Sequence, residues 1–278
     1  MQTHNWTRQL AQSRWAPVAA FPVRLASVSR HNGRVLVTSV QWLFGSREHH
    51  NFAYRLTPRN LAHLAWWVST VTSSPVDDVR VWLAENDADA DLAEHIRLGV
   101  RSSARSGIAD SEARYGRRVG WYALVRALKP QHVVETGVDK GLGSCVIAAA
   151  LLRNGSEGAP GRLTGLDINP DAGYLISGSY ATVVDLVLGD SLESISRLSH
   201  PVDLFLHDSD HSESHEHGEF LRVETQLAPG AMLLTDNASE TDVLMRYAEE
   251  TGRRFLFFQE NPLNHWFPGD GIGAAWRP

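Results

Sequence analysis

The stretch VVETGVDKGLGS, Val133 to Ser144, decides how the rest of the chain is read. A β-branched run ends at Glu135, glycines follow at Gly137, Gly141 and Gly143, and helix-forming residues begin at once. Glycine lets a backbone turn tightly and approach a ligand closely, and the helix start beyond it presents unpaired N–H groups. Three residues separate the first two glycines, so the spacing is not that of the dinucleotide fingerprint. Taken alone, the loop has a plainer reading as a tight strand-to-helix turn.

Working outward, short apolar runs alternate with helical stretches from about Gln131 onward, the pattern of a parallel sheet covered by helices. Strands are expected at His132–Thr136, Arg162–Asp167, Val183–Leu188, Val202–His207 and Ala231–Thr235. Helices are expected at Gly143–Leu152, Asp171–Ser179, Ser191–Leu198, Glu213–Leu227 and Ser239–Thr251. Two further strands, Arg254–Gln259 and Ile272–Trp276, are separated by a loop too short for a helical crossover, so they should pair antiparallel. Acids close the strands in series: Asp167, Asp190, the HDSDH of His207–His211, and the Asp236-Asn237 pair. Any one of them would serve as a helix cap. Together they converge on the crevice at the carboxyl edge where open α/β sheets bind ligands.

Residues 1–110 read as an extension, a lid or dimerisation element, and residues 111–278 as the main domain. In the extension, Arg34–Phe44 (RVLVTSVQWLF) is strand-like and suggests a small β element. Thr57-Pro58 starts a helix with a capping residue and a proline at the first helical position, and Val79–Ala104 and Tyr115–Leu128 continue the helical series. The 278 residues carry 26 Lys+Arg against 32 Asp+Glu, a net charge of -6, which argues against a broad nucleic-acid footprint. The cluster Arg101, Arg105, Arg114, Arg117 and Arg118 reads as a solvated helix face. The one cysteine, Cys145, excludes an internal disulfide and reads as a buried thiol. No secretory leader and no apolar run of about 18 residues is evident, so a cytoplasmic protein without membrane contact is expected.

From Tyr115 to the C-terminus the series resembles the class I S-adenosylmethionine-dependent methyltransferases. The resemblance implies a Rossmann-like α/β sheet of seven strands, mostly parallel, with a C-terminal antiparallel hairpin, flanked by helices and preceded by a mainly helical extension. It further implies that Glu135, Thr136, Gly137, Gly141, Gly143 and Ser144 surround the methionine part of S-adenosylmethionine. Asp167 would take the ribose hydroxyls, and Asp190 with Ser191 would face the adenine.

Within that group, HDSDH together with TDN is similar to the metal-dependent O-methyltransferases of the catechol type and to macrocin and cephalosporin-tailoring relatives. The implied ligands of Mg²⁺, or another divalent cation, are Asp208, Asp236 and Asn237, a hard-oxygen set suited to such ions. The catechol-type enzymes place a lysine where this chain has His211, and an imidazole there is a fitting proton acceptor at neutral pH. His215 and His217 read as solvated, and Asp210 as support for His211. The implied activity is O-methylation of a small hydroxylated compound, of the natural-product glycoside or phenol type; a homo-oligomer, a dimer first of all, is compatible with the extension but not fixed by the sequence. The competing readings are a metal-independent N- or C-methyltransferase, a dinucleotide-dependent oxidoreductase and an inert cofactor-binding protein. The oxidoreductase lacks its G-x-G-x-x-G spacing here.

Overall fold

The computed structural model describes residues 12–48 and 52–277. The chain divides into two compact units, residues 1–46 with 264–267, and residues 47–263 with 268–278. In the first, a single helical turn at Ala16–Ala19 leads into a long helix, α1 (Phe21–Gly45). Within this unit Arg34 hydrogen-bonds Asn264 Oδ1, and the Trp42 and Trp266 rings meet edge to face at 5.3 Å.

Helix α1 replaces the β element expected at Arg34–Phe44. Its β-branched residues favour strand locally, but a lone strand would leave its N–H and C=O groups unpaired, whereas a helix pairs them internally. The hydroxyls adapt as well. Thr38 Oγ1 donates to the carbonyls of Arg34 and Val35, and Ser39 Oγ donates to that of Val35.

The second unit begins with three helices, α2 (Pro58–Thr72), α3 (Val76–Asp87) and α4 (Ala90–Ser102). The Thr57 hydroxyl caps α2 by accepting from Asn60 N, with Pro58 at the first position as the sequence predicts. Asp89 breaks the acidic run between α3 and α4 by capping α4 through Leu92 N. Helix α5 (Arg118–Leu128) then leads into the sheet.

Seven strands follow: β1 (His132–Thr136), β2 (Arg162–Asp167), β3 (Val184–Leu188), β4 (Val202–His207), β5 (Leu227–Asp236), β6 (Arg254–Phe258) and β7 (Ile272–Trp276). Their order is β3-β2-β1-β4-β5-β7-β6, with β7 antiparallel to both neighbours and the other pairs parallel. The expected mostly parallel sheet with a terminal antiparallel hairpin is therefore present. The crossovers carry α6 (Leu142–Ser156), α7 (Ser191–Ile195), α8 (Glu213–Val223) and α9 (Val243–Thr251). Val134, Phe205, Phe220, Leu233 and Tyr247 join one buried cluster between the sheet and α8 and α9. Each such side chain contributes on the order of 1.5–3 kcal/mol.

Register places the site. Thr136 lies opposite His207, and His207 opposite Thr235, on adjacent strands. The next residues, Gly137, Asp208 and Asp236, therefore emerge side by side at the carboxyl edge. The helix expected at Asp171–Ser179 is absent, and only a 3-10 turn at Tyr180–Thr182 forms. Gly173 N and Leu175 N donate to the Asp139 and Lys140 carbonyls of the glycine loop, so they are not available to a local helix.

Candidate active site

The loop after β1 is built around a close approach. Gly137 has φ +81°, and a Cβ there would sit 1.8 Å from the Asp208 carbonyl oxygen. Gly143 is packed as tightly, since a Cβ would lie 2.5 Å from Glu135 Oε1. Any larger side chain would thus part β1 from β4 or displace Glu135. Gly141 stands at the N-terminal boundary of α6.

These elements enclose a cleft of about 500 Å³ along the carboxyl edge. Asp190, Asp167, Glu135 and Asp208 all reach it, in the order of their strands across the sheet, together with Gly137, Gly143 and Ser191. Thr136, Gly141 and Ser144 support it from behind without lining it. Ser144 Oγ donates to Glu135 Oε2 at 2.5 Å. Burial nonetheless pushes the Glu135 carboxyl up to about 7. Asp167 Oδ2 accepts from Val138 N and Asp139 N, both at 2.8 Å, which locks the glycine loop onto the end of β2. Asp190 does two jobs, capping α7 through Leu192 N at 2.7 Å while facing the cleft. Arg118 and Lys140 line the same cleft, and burial followed by the charge of Arg118 lowers the Lys140 ammonium.

Behind the far wall lies Glu219 of α8, fully buried. Its carboxylate accepts five hydrogen bonds: from Thr136 Oγ1, Ser191 Oγ, His207 Nδ1, Ser209 Oγ and His215 Nε2. The two imidazoles outweigh the cost of burial and hold this carboxyl far below the usual range. His215 is raised in turn by its bond to Glu219. The structure corrects the solvated reading of His215, which lines the cleft and ties α8 to its wall. One carboxylate thus joins the ends of β1 and β4 to the starts of α7 and α8.

Beside the cleft, the structure brings Asp208, Asp236, Asn237 and His211 together. The Asp208 and Asp236 carboxyls are neighbours whose titrations influence each other. Burial, then the neighbouring Asp236 charge, raises Asp208 well above the ordinary range. Asp236 is held low by Arg117 against its own burial. Asn237 Nδ2 donates to His211 Nε2 at 3.0 Å, and that nitrogen lies 3.8 Å from Asp208 Oδ1. Burial, then the adjacent His207, lowers the His211 imidazole.

Residues 134–238 match the family model described as a methyltransferase domain. Over residues 134–238 the chain is similar to methyltransferase domains. Every site residue predicted from the sequence falls inside that matched span. Solved structures of similar fold include the O-methyltransferase TomG from Streptomyces achromogenes, involved in tomaymycin synthesis and solved in complex with S-adenosylmethionine. It is 18% identical, the match covers 68% of this chain and 90% of TomG, and the TM-score is 0.49. A methyltransferase from Geobacter sulfurreducens is 19% identical over 68% of this chain and 90% of its own, with a TM-score of 0.49. No curated protein matches the chain in sequence.

The cleft suits the implied nucleoside cofactor, because it places carboxylates at three successive strand ends. The metal set is different. Arg117 makes a bidentate contact with both Asp236 oxygens and donates to Asn237 Oδ1 at 2.7 Å. Two of the three expected ligands are already held by a fixed cation, so the set as folded does not fit a divalent ion. Among the described residues no group of three His, Cys, Asp or Glu side chains is arranged to hold a metal.

Arg117 is also the residue the sequence misleads on most. Its place in a basic cluster predicts a solvated face, yet it is buried, reached by Tyr54 and Glu260 as well as Asp236. Nothing local betrays this, since its partners lie 63, 143 and 119 positions away. Glu219 was equally hidden inside a helix rich in polar residues.

Proposed function

We propose that the chain transfers the methyl group of S-adenosylmethionine to a hydroxyl oxygen of a small molecule. The observation that carries this reading is the ordered series Glu135, Asp167 and Asp190 along one cleft, whose lining residue Asp208 lies 3.8 Å from His211. When bound, the cofactor supplies an electrophilic methyl on a sulfonium, which passes in line to the acceptor oxygen. Glu135 and the glycine loop would hold the methionine part, Asp167 the ribose hydroxyls, and Asp190 with Ser191 the adenine.

Methyl transfer asks the protein chiefly for alignment, plus removal of the hydroxyl proton. His211 is the proposed proton acceptor. A guanidinium can only donate, so the Asn237 atom facing Arg117 is its oxygen, and its amide nitrogen must face His211. His211 Nε2 then carries the lone pair, its lowered proton affinity keeps the ring neutral at neutral pH, and the lone pair passes to a substrate hydroxyl when the Asn237 N–H gives way. Asp208 stands within reach to orient the resulting imidazolium.

The test is calorimetric titration of the full chain with S-adenosylhomocysteine, followed by a screen of phenols and glycosides for transfer of a labelled methyl group. Saturable binding and label on an acceptor oxygen are expected. Absence of binding would return the glycine loop to a plain turn. Label on nitrogen or carbon would favour the other acceptor chemistries.

A further inference from the structure

Arg117 precedes α5 and is held from three sides. Its five N–H groups meet five acceptors: Nε and Nη2 grip the two Asp236 oxygens, Nη2 also reaches Asn237 Oδ1, and Nη1 donates to Tyr54 Oη and Glu260 Oε1, both at 3.0 Å. Tyr54 Oη in turn donates to Glu260 Oε1 at 2.7 Å, and Asp270 N donates to the same oxygen at 2.9 Å. The segment behind is fixed by Gly116 N donating to the Tyr54 carbonyl. The Asp236 and Glu260 side chains are fully buried, and that of Arg117 is 9% exposed. This is a saturated cation site whose occupant belongs to the chain.

We propose that Arg117 takes the place of a divalent metal in this domain: it fixes Asp236 and Asn237 where metal-assisted relatives use them as ligands, and methyl transfer proceeds without a bound ion. A divalent cation sharing the oxygens of Asp236 and Asn237 would face a guanidinium at hydrogen-bonding distance from those same atoms, a like-charge contact in a buried setting. Moving Arg117 aside would strand two buried carboxylates, Asp236 and Glu260, without their cation. With every donor spent, Arg117 has none left for an acceptor molecule, so it is a positioning residue. Its route to the chemistry runs through Asn237, whose amide it orients toward His211. The consequence for turnover rests on the methyl-transfer reading, whereas the binding claim stands on the geometry alone.

The experiment titrates the full chain with Mn²⁺, followed by electron paramagnetic resonance, with and without S-adenosylhomocysteine. Wild type should leave the Mn²⁺ signal unattenuated in both cases. Uptake of Mn²⁺ by wild type that Asp236→Asn abolishes would overturn the proposal. Arg117→Gln removes the charge and leaves the oxygen ligands, and should bind Mn²⁺ at least about tenfold more tightly than wild type. A folded Arg117→Gln that still leaves Mn²⁺ free would overturn Arg117 as what keeps the ion out, and the Asp236→Asn comparison decides the matter if that variant does not fold. Calorimetry with S-adenosylhomocysteine on the same wild-type sample separates the two readings, because failure there counts against the cofactor and says nothing for a metal.

Discussion

Ser144 donates its hydroxyl to Glu135 at 2.5 Å, and a Cβ at Gly143 would touch the same carboxylate. Glu135 is thereby sealed between the glycine loop and the first turn of α6, and burial raises it from 4.5 to about 7. The raised value makes the ionised form costly in the folded chain. Its stabilising contribution is complete below about pH 4.5 and disappears as pH rises through about 7, amounting to roughly 3 kcal/mol as an upper figure. Thermal melts should show wild type losing stability relative to Glu135→Gln between about pH 5 and pH 8. Binding of S-adenosylmethionine, which brings positive charge, should tighten over the same interval in wild type and stay flat in the variant. Parallel pH profiles for the two proteins would refute the shift.

Glu219 supports the opposite wall, and its loss should be felt in two ways. Removing the carboxylate in Glu219→Ala leaves five donors without their acceptor, at a cost of about 3 kcal/mol or more. Because Ser191, Ser209 and His215 also line the cleft, affinity for S-adenosylhomocysteine should fall along with the melting temperature. Glu219→Gln keeps the volume and should recover part of the stability while still weakening binding. Unchanged affinity in a folded Glu219→Gln would mean that the wall holds its shape without this charge.

How much of this was legible in the sequence follows from where each cause lies. The strands β1, β2, β4 and β7 appear at the expected residues because apolar periodicity and flanking turn residues are local signals. The placement of Asp167, Asp190, Asp208 and Asp236 at the carboxyl edge was legible because each ends a strand or follows it within two residues, and register in a parallel sheet brings successive ends together. Helix α1 was not, since Val35, Val37, Thr38 and Val40 prefer strand individually and only the lack of a pairing partner turns them to helix. Arg117 and Glu219 were not legible either. A charge is assumed solvated until distant residues close over it, and Tyr54, Asp236 and Glu260 do that for Arg117.

Asp190 combines a cap with a face on the cleft, and the two can be separated. Asparagine caps a helix about as well as aspartate. Asp190→Asn should therefore melt within about 0.5 kcal/mol of wild type, while Asp190→Ala loses about 1 kcal/mol. Both should weaken S-adenosylhomocysteine binding if the side chain faces the adenine, since asparagine changes the acceptor character there. Full affinity in Asp190→Asn would reduce this residue to a cap.

His211 carries the proposed chemistry, and its surroundings make a specific expectation. Burial and His207 lower its proton affinity, so the neutral ring prevails at neutral pH and turnover should lose its acceptor only as the medium becomes acidic. His211→Ala removes the Asn237 contact but none of the cleft-lining carboxylates, so S-adenosylhomocysteine should still bind. Turnover should fall by roughly 10²–10⁴-fold, the range a positioned base supplies. His211→Lys restores a group able to take a proton and should recover part of the rate, with its pH profile displaced to higher pH. An alanine variant retaining wild-type turnover would assign the proton elsewhere, and Asp208, 3.8 Å from the imidazole, would be the next residue to substitute.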